Sequence, residues 1–271
     1  MNRLTEEALR ALSRAKTVEA IGAALELLPD GDPRTRRALL ERYHALAADT
    51  SRRDSDCMLR AALIRGLRRR ALASEVPLLE EALRTYEFRP GEEVAGRLRA
   101  AALLVLADLE EALAAFHAVR LLGDPHTSAM SGEPAVTAAR LLASQGHPLV
   151  LYQALRGGAI QPELAAACFE GLAGAPASVL AALAEEHWKE YAGAALLALV
   201  DLLLAHPDAG RLSGVLAGIV EEATDLDVVR YAATAMVAGR KPPLIEALGT
   251  RANLSGSRGQ LVREALTLLP T

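Results

Sequence analysis

The 271-residue chain carries a net charge of −4 at pH 7, and 104 of its residues are Ala or Leu, two strong helix formers. Hydrophobic residues make up 51% of the chain. This is enough for a continuous core and excludes a wholly disordered protein. Aromatic residues make up only 3% and β-branched residues are sparse, which argues against an all-β sandwich or barrel.

The charge balance and the cysteines narrow the class of protein further. A pI near 5.9 argues against a dedicated nucleic-acid-binding protein, because such proteins are usually basic. Cys57 and Cys168 are too few for a disulfide framework, and no Cys/His cluster has the spacing of zinc ligands. The longest apolar stretch, residues 191–200, is too short to span a membrane. We therefore expect a reduced, soluble, cytoplasmic protein without a metal or cofactor.

Helical periodicity runs along the whole chain, beginning with an amphipathic helix at residues 1–15 that does not have the pattern of a signal peptide. Segments that contain Pro or Gly, such as 29–33, interrupt the apolar pattern and mark helix ends. Asp108 followed by Glu111 fits a capping box, which predicts that residues 92–122 form two helices. The pattern predicts about fourteen helices, a helix content above roughly 65% and no strand.

Residues 33–70 form a basic segment, with eleven Arg against four acidic residues and a local net charge of +7. Arg65, Arg68 and Arg69 have the spacing of one helix face. Such a patch could bind phosphate or an acidic partner. Tyr43 is the only aromatic residue in the segment, so the pattern does not support base stacking. The alternative interpretation is a solvated helix face.

One type of helix start recurs along the chain. It begins with an acidic, Ser or Pro residue, which is followed by an apolar residue, by a polar residue and by small apolar residues. We call the position of the polar residue the slot. The slot positions include Arg60, Arg99, Thr137 and Arg230, of which the first three are 39 and 38 residues apart. A two-helix unit of about 30 to 40 residues is typical of an α-solenoid.

Residues 56–63 and 227–233 show this pattern best, and they resemble the HEAT-like repeat family. The resemblance implies an all-α, right-handed α-solenoid of about seven antiparallel helix pairs, in one domain over residues 1–271. Residues 1–30 would be N-terminal cap helices, residues 31–240 the repeats and residues 241–271 a C-terminal cap. It also implies that the slot arginines pair with an acidic residue of a neighbouring unit. It implies no activity, because the family includes scaffolds, DNA glycosylases, bilin lyases and a metal hydroxylase.

The segment 123–134 is long and polar for a connection between two helices. It leads into a helix on which Thr137 and Arg140 share a face, and Arg99 holds the matching slot one unit earlier. We therefore hypothesise a binding site for a carboxylate or an acidic peptide; the alternative is a long surface turn with a helix cap. The site would consist of Arg99, His126, Ser128, Ser131, Glu133, Thr137 and Arg140.

These patterns favour a non-enzymatic scaffold that binds a partner protein or peptide, possibly an acidic one, on its concave face. Two alternatives remain: a HEAT-like lyase or chaperone-type enzyme that uses segment 123–134, and binding of a nucleic-acid backbone by segment 33–70. The sequence leaves the oligomeric state open. We also expect Cys168 to be buried, and Cys57 to be the more reactive thiol, because a helix N-terminus lowers the pKa of a cysteine.

Overall fold

A computed structural model describes residues 3–157 and 160–269, apart from the side chains of Ser51 and Arg52. The protein is all-α, with 70% helix, which confirms the predicted all-α class and helix content. The chain divides into two compact units, residues 1–141 and residues 142–271.

The first unit begins with a series of helices that pack on helices two places further along the chain: α1 on α3, α3 on α5 and α5 on α7. The helix α8 packs on α7, and α9 crosses the boundary between the units. The helices are α1 (Arg3–Arg14), α2 (Val18–Glu26), α3 (Pro33–Ala47), α4 (Thr50–Arg53), α5 (Met58–Gly66), α6 (Val76–Leu83), α7 (Gly96–Leu109), α8 (Glu111–Leu122) and α9 (Ala135–Ser144).

The second unit has the same alternation in two layers. One layer consists of α11, α13, α15 and α17, each packed on the next, and the other of α12, α14 and α16. The helices are α10 (Pro148–Arg156), α11 (Pro162–Glu170), α12 (Ala177–His187), α13 (Gly193–Ala205), α14 (Ser213–Glu222), α15 (Leu226–Ala238), α16 (Pro242–Gly249) and α17 (Gly256–Leu266).

The helices begin and end largely where Pro, Gly and capping residues predict. Asp32 accepts a hydrogen bond from the N–H of Arg34 at the start of α3, and Asp225 caps α15 in the same way. The predicted division of residues 92–122 is correct, but Asp108 does not cap α8. Its carboxylate instead pairs with Arg68, 3.1 Å away, and Glu110 precedes α8.

A short hairpin corrects the expectation that the chain has no strand. The strand β1 (Phe88–Arg89) pairs antiparallel with the strand β2 (Glu92–Glu93) across a turn that contains Pro90 and Gly91. Gly91 has a φ of 85°, a conformation that favours glycine. The hairpin fills the connection between α6 and α7.

Most remote hydrogen bonds of side chains join residues within a limited range of separations along the chain. Those described between residues more than 14 positions apart join residues that are 27 to 40 positions apart. Side chains therefore connect elements that follow each other at intervals of 27 to 40 residues along the chain. Examples from the first unit are Arg36 to Glu75 and Arg120 to Leu83, and from the second Lys189 to Glu222 and Arg258 to Ala223.

Candidate functional site

A cleft of about 240 Å³ lies in the first unit, where the N-terminal ends of α5 and α7 meet the segment that leads into α9. The β-hairpin and segment 123–134 also contribute to its lining. Three of the predicted site residues line the cleft: Ser128, Ser131 and Glu133. The other lining residues include Asp56, Met58, Glu92, Glu93, Gly96, Arg97 and Met130.

Segment 123–134 is held together by hydrogen bonds within itself. The hydroxyl oxygen of Ser128 accepts from the N–H of Ser131 (3.3 Å), and the hydroxyl oxygen of Ser131 accepts from the N–H of Glu133 (3.4 Å). The N–H of Ser128 donates to the carbonyl of Glu133 (2.9 Å), which closes the loop. These polar side chains thus stabilise the turn, as the alternative interpretation expected.

Glu133 and Thr137 are brought together at the start of α9. A carboxylate oxygen of Glu133 accepts a hydrogen bond from the N–H of Thr137, at 3.3 Å. This interaction satisfies one of the backbone donors that a helix N-terminus leaves free. Arg140 is exposed one turn further along α9 and does not line the cleft.

Arg99 does not belong to the binding site that the sequence predicted. Its side chain is fully buried, and its guanidinium forms a bidentate pair with Glu93 (2.9 and 2.8 Å). Its Nε lies 3.2 Å from Asp124, and its guanidinium lies 4.1 Å from the centre of the Tyr86 ring. A guanidinium with these partners has no face left for a ligand, so we remove Arg99 from the candidate site.

His126 is also outside the cleft. It is exposed, and the edge of its ring contacts the rings of Tyr86 and Phe88, with centroids 5.7 and 5.1 Å apart. Its backbone N–H donates to the carboxylate of Asp124 (2.8 Å). His126 therefore connects segment 123–134 to the hairpin.

The charge of the cleft is opposite to the one that the sequence predicted. The carboxylates of Asp56, Glu92 and Glu133 line it, against one guanidinium, that of Arg97. The fourth carboxylate of the lining, that of Glu93, is already paired with Arg99. An acidic peptide does not fit such a lining, because like charges repel. Sequence reasoning missed Asp56, Glu92, Met58 and Met130; the position of Asp56 before a recurring helix start was the one signal that could have found it.

The basic patch of Arg65, Arg68 and Arg69 does not form one helix face. The helix α5 ends at Gly66, and Arg69 has a φ of 62°, so the helical spacing does not continue through the three residues. Arg68 pairs with Asp108, and Arg69 lies 3.6 Å from Asp30. All three side chains are exposed.

Acidic residues from outside segment 33–70 neutralise much of its charge. Residues 1–141 carry 21 basic and 21 acidic residues, so the first unit has no net charge. The partners from outside the segment are Glu6 for Arg34, Glu75 for Arg36, Glu87 for Arg60, Asp108 for Arg68, and Asp30 for Arg69 and Arg70. The side chain of Arg52 lies outside the described residues.

The expectation for the two cysteines is half correct. Cys168 is buried, as predicted. Cys57 is also fully buried, and burial raises its pKa to about 12. The prediction that the start of a helix lowers this pKa and makes Cys57 the more reactive thiol is therefore wrong. The Sγ atom of Cys57 lies 3.0 Å from Nη2 of Arg60, so Cys57 belongs to the buried ionic cluster of Arg60.

Residues 3–157 and 160–269 contain no group of three or more His, Cys, Asp or Glu side chains arranged to hold a metal ion. In the same part of the chain, no helix is both long and apolar enough to cross a lipid bilayer. Comparison with protein-family models, with curated proteins and with solved structures gave no match.

Proposed function

We propose that the protein is an interaction module built from HEAT-like repeats, and that it binds a partner protein or peptide. In this proposal each unit is a stretch of right-handed α-solenoid, and the whole chain contains about seven helix pairs. The separation of 27 to 40 positions between the partners of most remote hydrogen bonds supports the repeats, and so does the alternating helix packing. The pairs of Arg60 with Glu87 and of Arg99 with Asp124 also support them, because each acid lies in the connection that leads to the next slot helix and the resemblance implies pairing between neighbouring units. Arg230, at a later slot, is exposed.

The observation that carries the functional proposal is the cleft itself. It combines carboxylates with the thioether side chain of Met130, which is 91% exposed. An exposed methionine beside charged groups is typical of a surface that accepts the side chains of a partner. We place the partner at this cleft, on the side of the first unit where helix N-termini meet.

The two alternative functions have less support. The hydroxyl oxygens of Ser128 and Ser131 accept hydrogen bonds from the backbone of their own loop, which gives both side chains a structural role. The arginines of segment 33–70 are largely paired with carboxylates, which weakens the case for binding a nucleic-acid backbone.

Site-specific photo-crosslinking tests the proposal. A benzophenone amino acid replaces Met130 in one variant and Phe116, an exposed residue of α8, in a matched control. Both are expressed in the native host and irradiated. We expect a discrete crosslinked protein from the Met130 variant that the Phe116 variant does not give. The same products from both positions, or none from Met130, would contradict a partner at the cleft.

A further inference from the structure

The first two slot arginines each hold a carboxylate that also binds the start of a helix. Asp54 accepts hydrogen bonds from the N–H groups of Leu59 and Arg60 (2.8 and 3.0 Å) and from Nε of Arg60 (2.8 Å). Arg60 is 3% exposed, and Asp54 is also buried. The acid thus anchors the first turn of α5, and the arginine neutralises the acid.

The same arrangement returns 39 residues later. Glu93 accepts a hydrogen bond from the N–H of Ala95 (2.8 Å), at the start of α7. Both of its carboxylate oxygens also accept from the guanidinium of Arg99 (2.9 and 2.8 Å). In both repeats the acid stands six residues before the arginine that neutralises it.

The third repeat retains the acid and lacks the arginine. Glu133 follows Glu93 by 40 residues and stands four residues before the slot residue, not six, but it binds the N–H of that residue as Asp54 does. That slot residue is Thr137, whose side chain carries no charge. In the described part of the chain no arginine or lysine pairs with the Glu133 carboxylate, which lines the cleft.

We propose that an arginine side chain of the partner pairs with Glu133 and supplies the guanidinium that the third repeat lacks. The inference rests on the proposed function and names the chemistry of its partner. In the two preceding repeats the acid that binds the start of the helix also binds a guanidinium, so the pairing has a precedent in the same molecule. Asp56 and Glu92 add negative charge beside Glu133, and the exposed thioether of Met130 can cover the aliphatic part of an incoming arginine.

Fluorescence anisotropy with a short labelled peptide that alternates Arg and Leu tests this proposal. The comparison peptides carry citrulline, Lys or Glu in place of Arg. We expect the Arg peptide to bind and Glu133→Gln to weaken it about tenfold or more, since a charge-assisted hydrogen bond is lost. Citrulline is a neutral analogue of arginine. The citrulline peptide should bind the unsubstituted protein as weakly as the Arg peptide binds the Glu133→Gln variant. Glu163→Gln, in the first turn of α11, is the matched control and should leave binding unchanged.

Thr137→Arg provides a second, independent variant. It should pair with Glu133 within the chain, as Arg60 and Arg99 do with their acids, and abolish binding of the Arg peptide while the melting temperature is retained. Binding that is equally strong for the Glu and Arg peptides, or unaffected by Glu133→Gln, overturns the inference. So does the absence of detectable binding by the Arg peptide. If photo-crosslinking at Met130 still captures a partner in that case, the proposed function stands and only the arginine is wrong.

Discussion

Arg99 illustrates how a charged side chain becomes part of the core. Burying a guanidinium is costly unless carboxylates and hydrogen-bond acceptors surround it. Here Glu93 and Asp124 supply the charge, and the carbonyl of Thr85 accepts a further hydrogen bond at 2.9 Å. Tyr86 completes the cluster by donating its hydroxyl to Asp124 (3.1 Å). The cluster joins α7, the hairpin and segment 123–134.

Replacing Arg99 with Met should lower the free energy of unfolding by about 3–5 kcal/mol, because Glu93 and Asp124 would remain buried without a counter-charge. Arg65→Met, at an exposed position of α5, is the matched control and should change stability by less than about 0.5 kcal/mol. Urea denaturation of both variants measures the difference. Equal losses would contradict a structural role for the buried cluster.

Both thiols should react slowly with a disulfide reagent in the native protein and quickly once it is unfolded. Burial raises the pKa of Cys57 and of Cys168 to about 12, so almost no thiolate is present at neutral pH. The reaction is followed by absorbance with and without denaturant, and mass spectrometry identifies the labelled cysteine. Fast native labelling of Cys57 would show that the site opens readily.

Glu75 should make stability depend on acid pH. Burial alone would raise its pKa, but hydrogen bonds from Ser74, from the N–H of Leu72 and from Arg36 outweigh burial and lower it. A carboxyl whose pKa is lowered by folding stabilises the protein above its unfolded pKa of about 4.3, and this contribution is lost as the pH falls through the folded pKa.

Glu75→Gln should therefore cost about 1–3 kcal/mol at neutral pH, and the difference from the unsubstituted protein should shrink in acid. Glu81→Gln, at an exposed position on α6, is the control and should have little effect at either pH. Unfolding free energies measured across the acid range provide the comparison. A constant difference at all pH values would mean that the Glu75 charge is not responsible.

The residue-scale predictions from sequence failed where tertiary packing decided the environment. Spacing correctly placed Cys168 on a buried face, because that face follows from the period of its own helix. Cys57 lies in a left-handed conformation, with a φ of 58°, just before α5, and Arg60 covers it. Neither this backbone conformation nor the contact with the Arg60 side chain can be inferred from local spacing. For the same reason Arg99 was assigned to a surface site.

At the scale of the elements, most of the secondary structure could be predicted from periodicity and helix breakers. The hairpin was missed because two-residue strands are shorter than any alternating pattern. The end of α5 was also missed: its basic run continues past Gly66, so charge spacing suggested a helix face where the chain already turns. Segment 123–134 was identified as a long polar connection, but its partners on the hairpin were not.

Gly96 should be required for the close approach of α7 to segment 123–134. A Cβ atom at this position would lie 2.9 Å from the carbonyl oxygen of Glu133. Gly96→Ala should therefore lower the free energy of unfolding by about 1–3 kcal/mol, the usual cost of overpacking. Gly22→Ala, on α2 with no heavy atom within 4 Å of its added Cβ, should raise it by up to about 1 kcal/mol. Thermal unfolding of both variants distinguishes this contact from a general effect of alanine.

At the scale of the whole molecule, the distribution of charge decides what the protein attracts. Residues 142–271 carry 9 basic and 13 acidic residues, so the net charge of −4 belongs to the second unit, while the first is neutral. Composition alone suggested an acidic protein with one strongly basic segment. The structure shows that this segment is largely neutralised inside its own unit, by partners that sequence order cannot identify.

We therefore expect no measurable binding of duplex DNA or RNA at physiological salt. Affinity for a nucleic-acid backbone depends on cations that displace counterions from phosphates, and an arginine already paired with a carboxylate contributes little to this release. Fluorescence anisotropy with a labelled duplex over a range of salt concentrations is the measurement, and Arg65→Glu with Arg68→Glu and Arg69→Glu is the charge-reversal variant. A salt-sensitive interaction in the low micromolar range that this triple variant abolishes would show that the three exposed guanidinium groups form a phosphate-binding surface despite their neighbouring carboxylates.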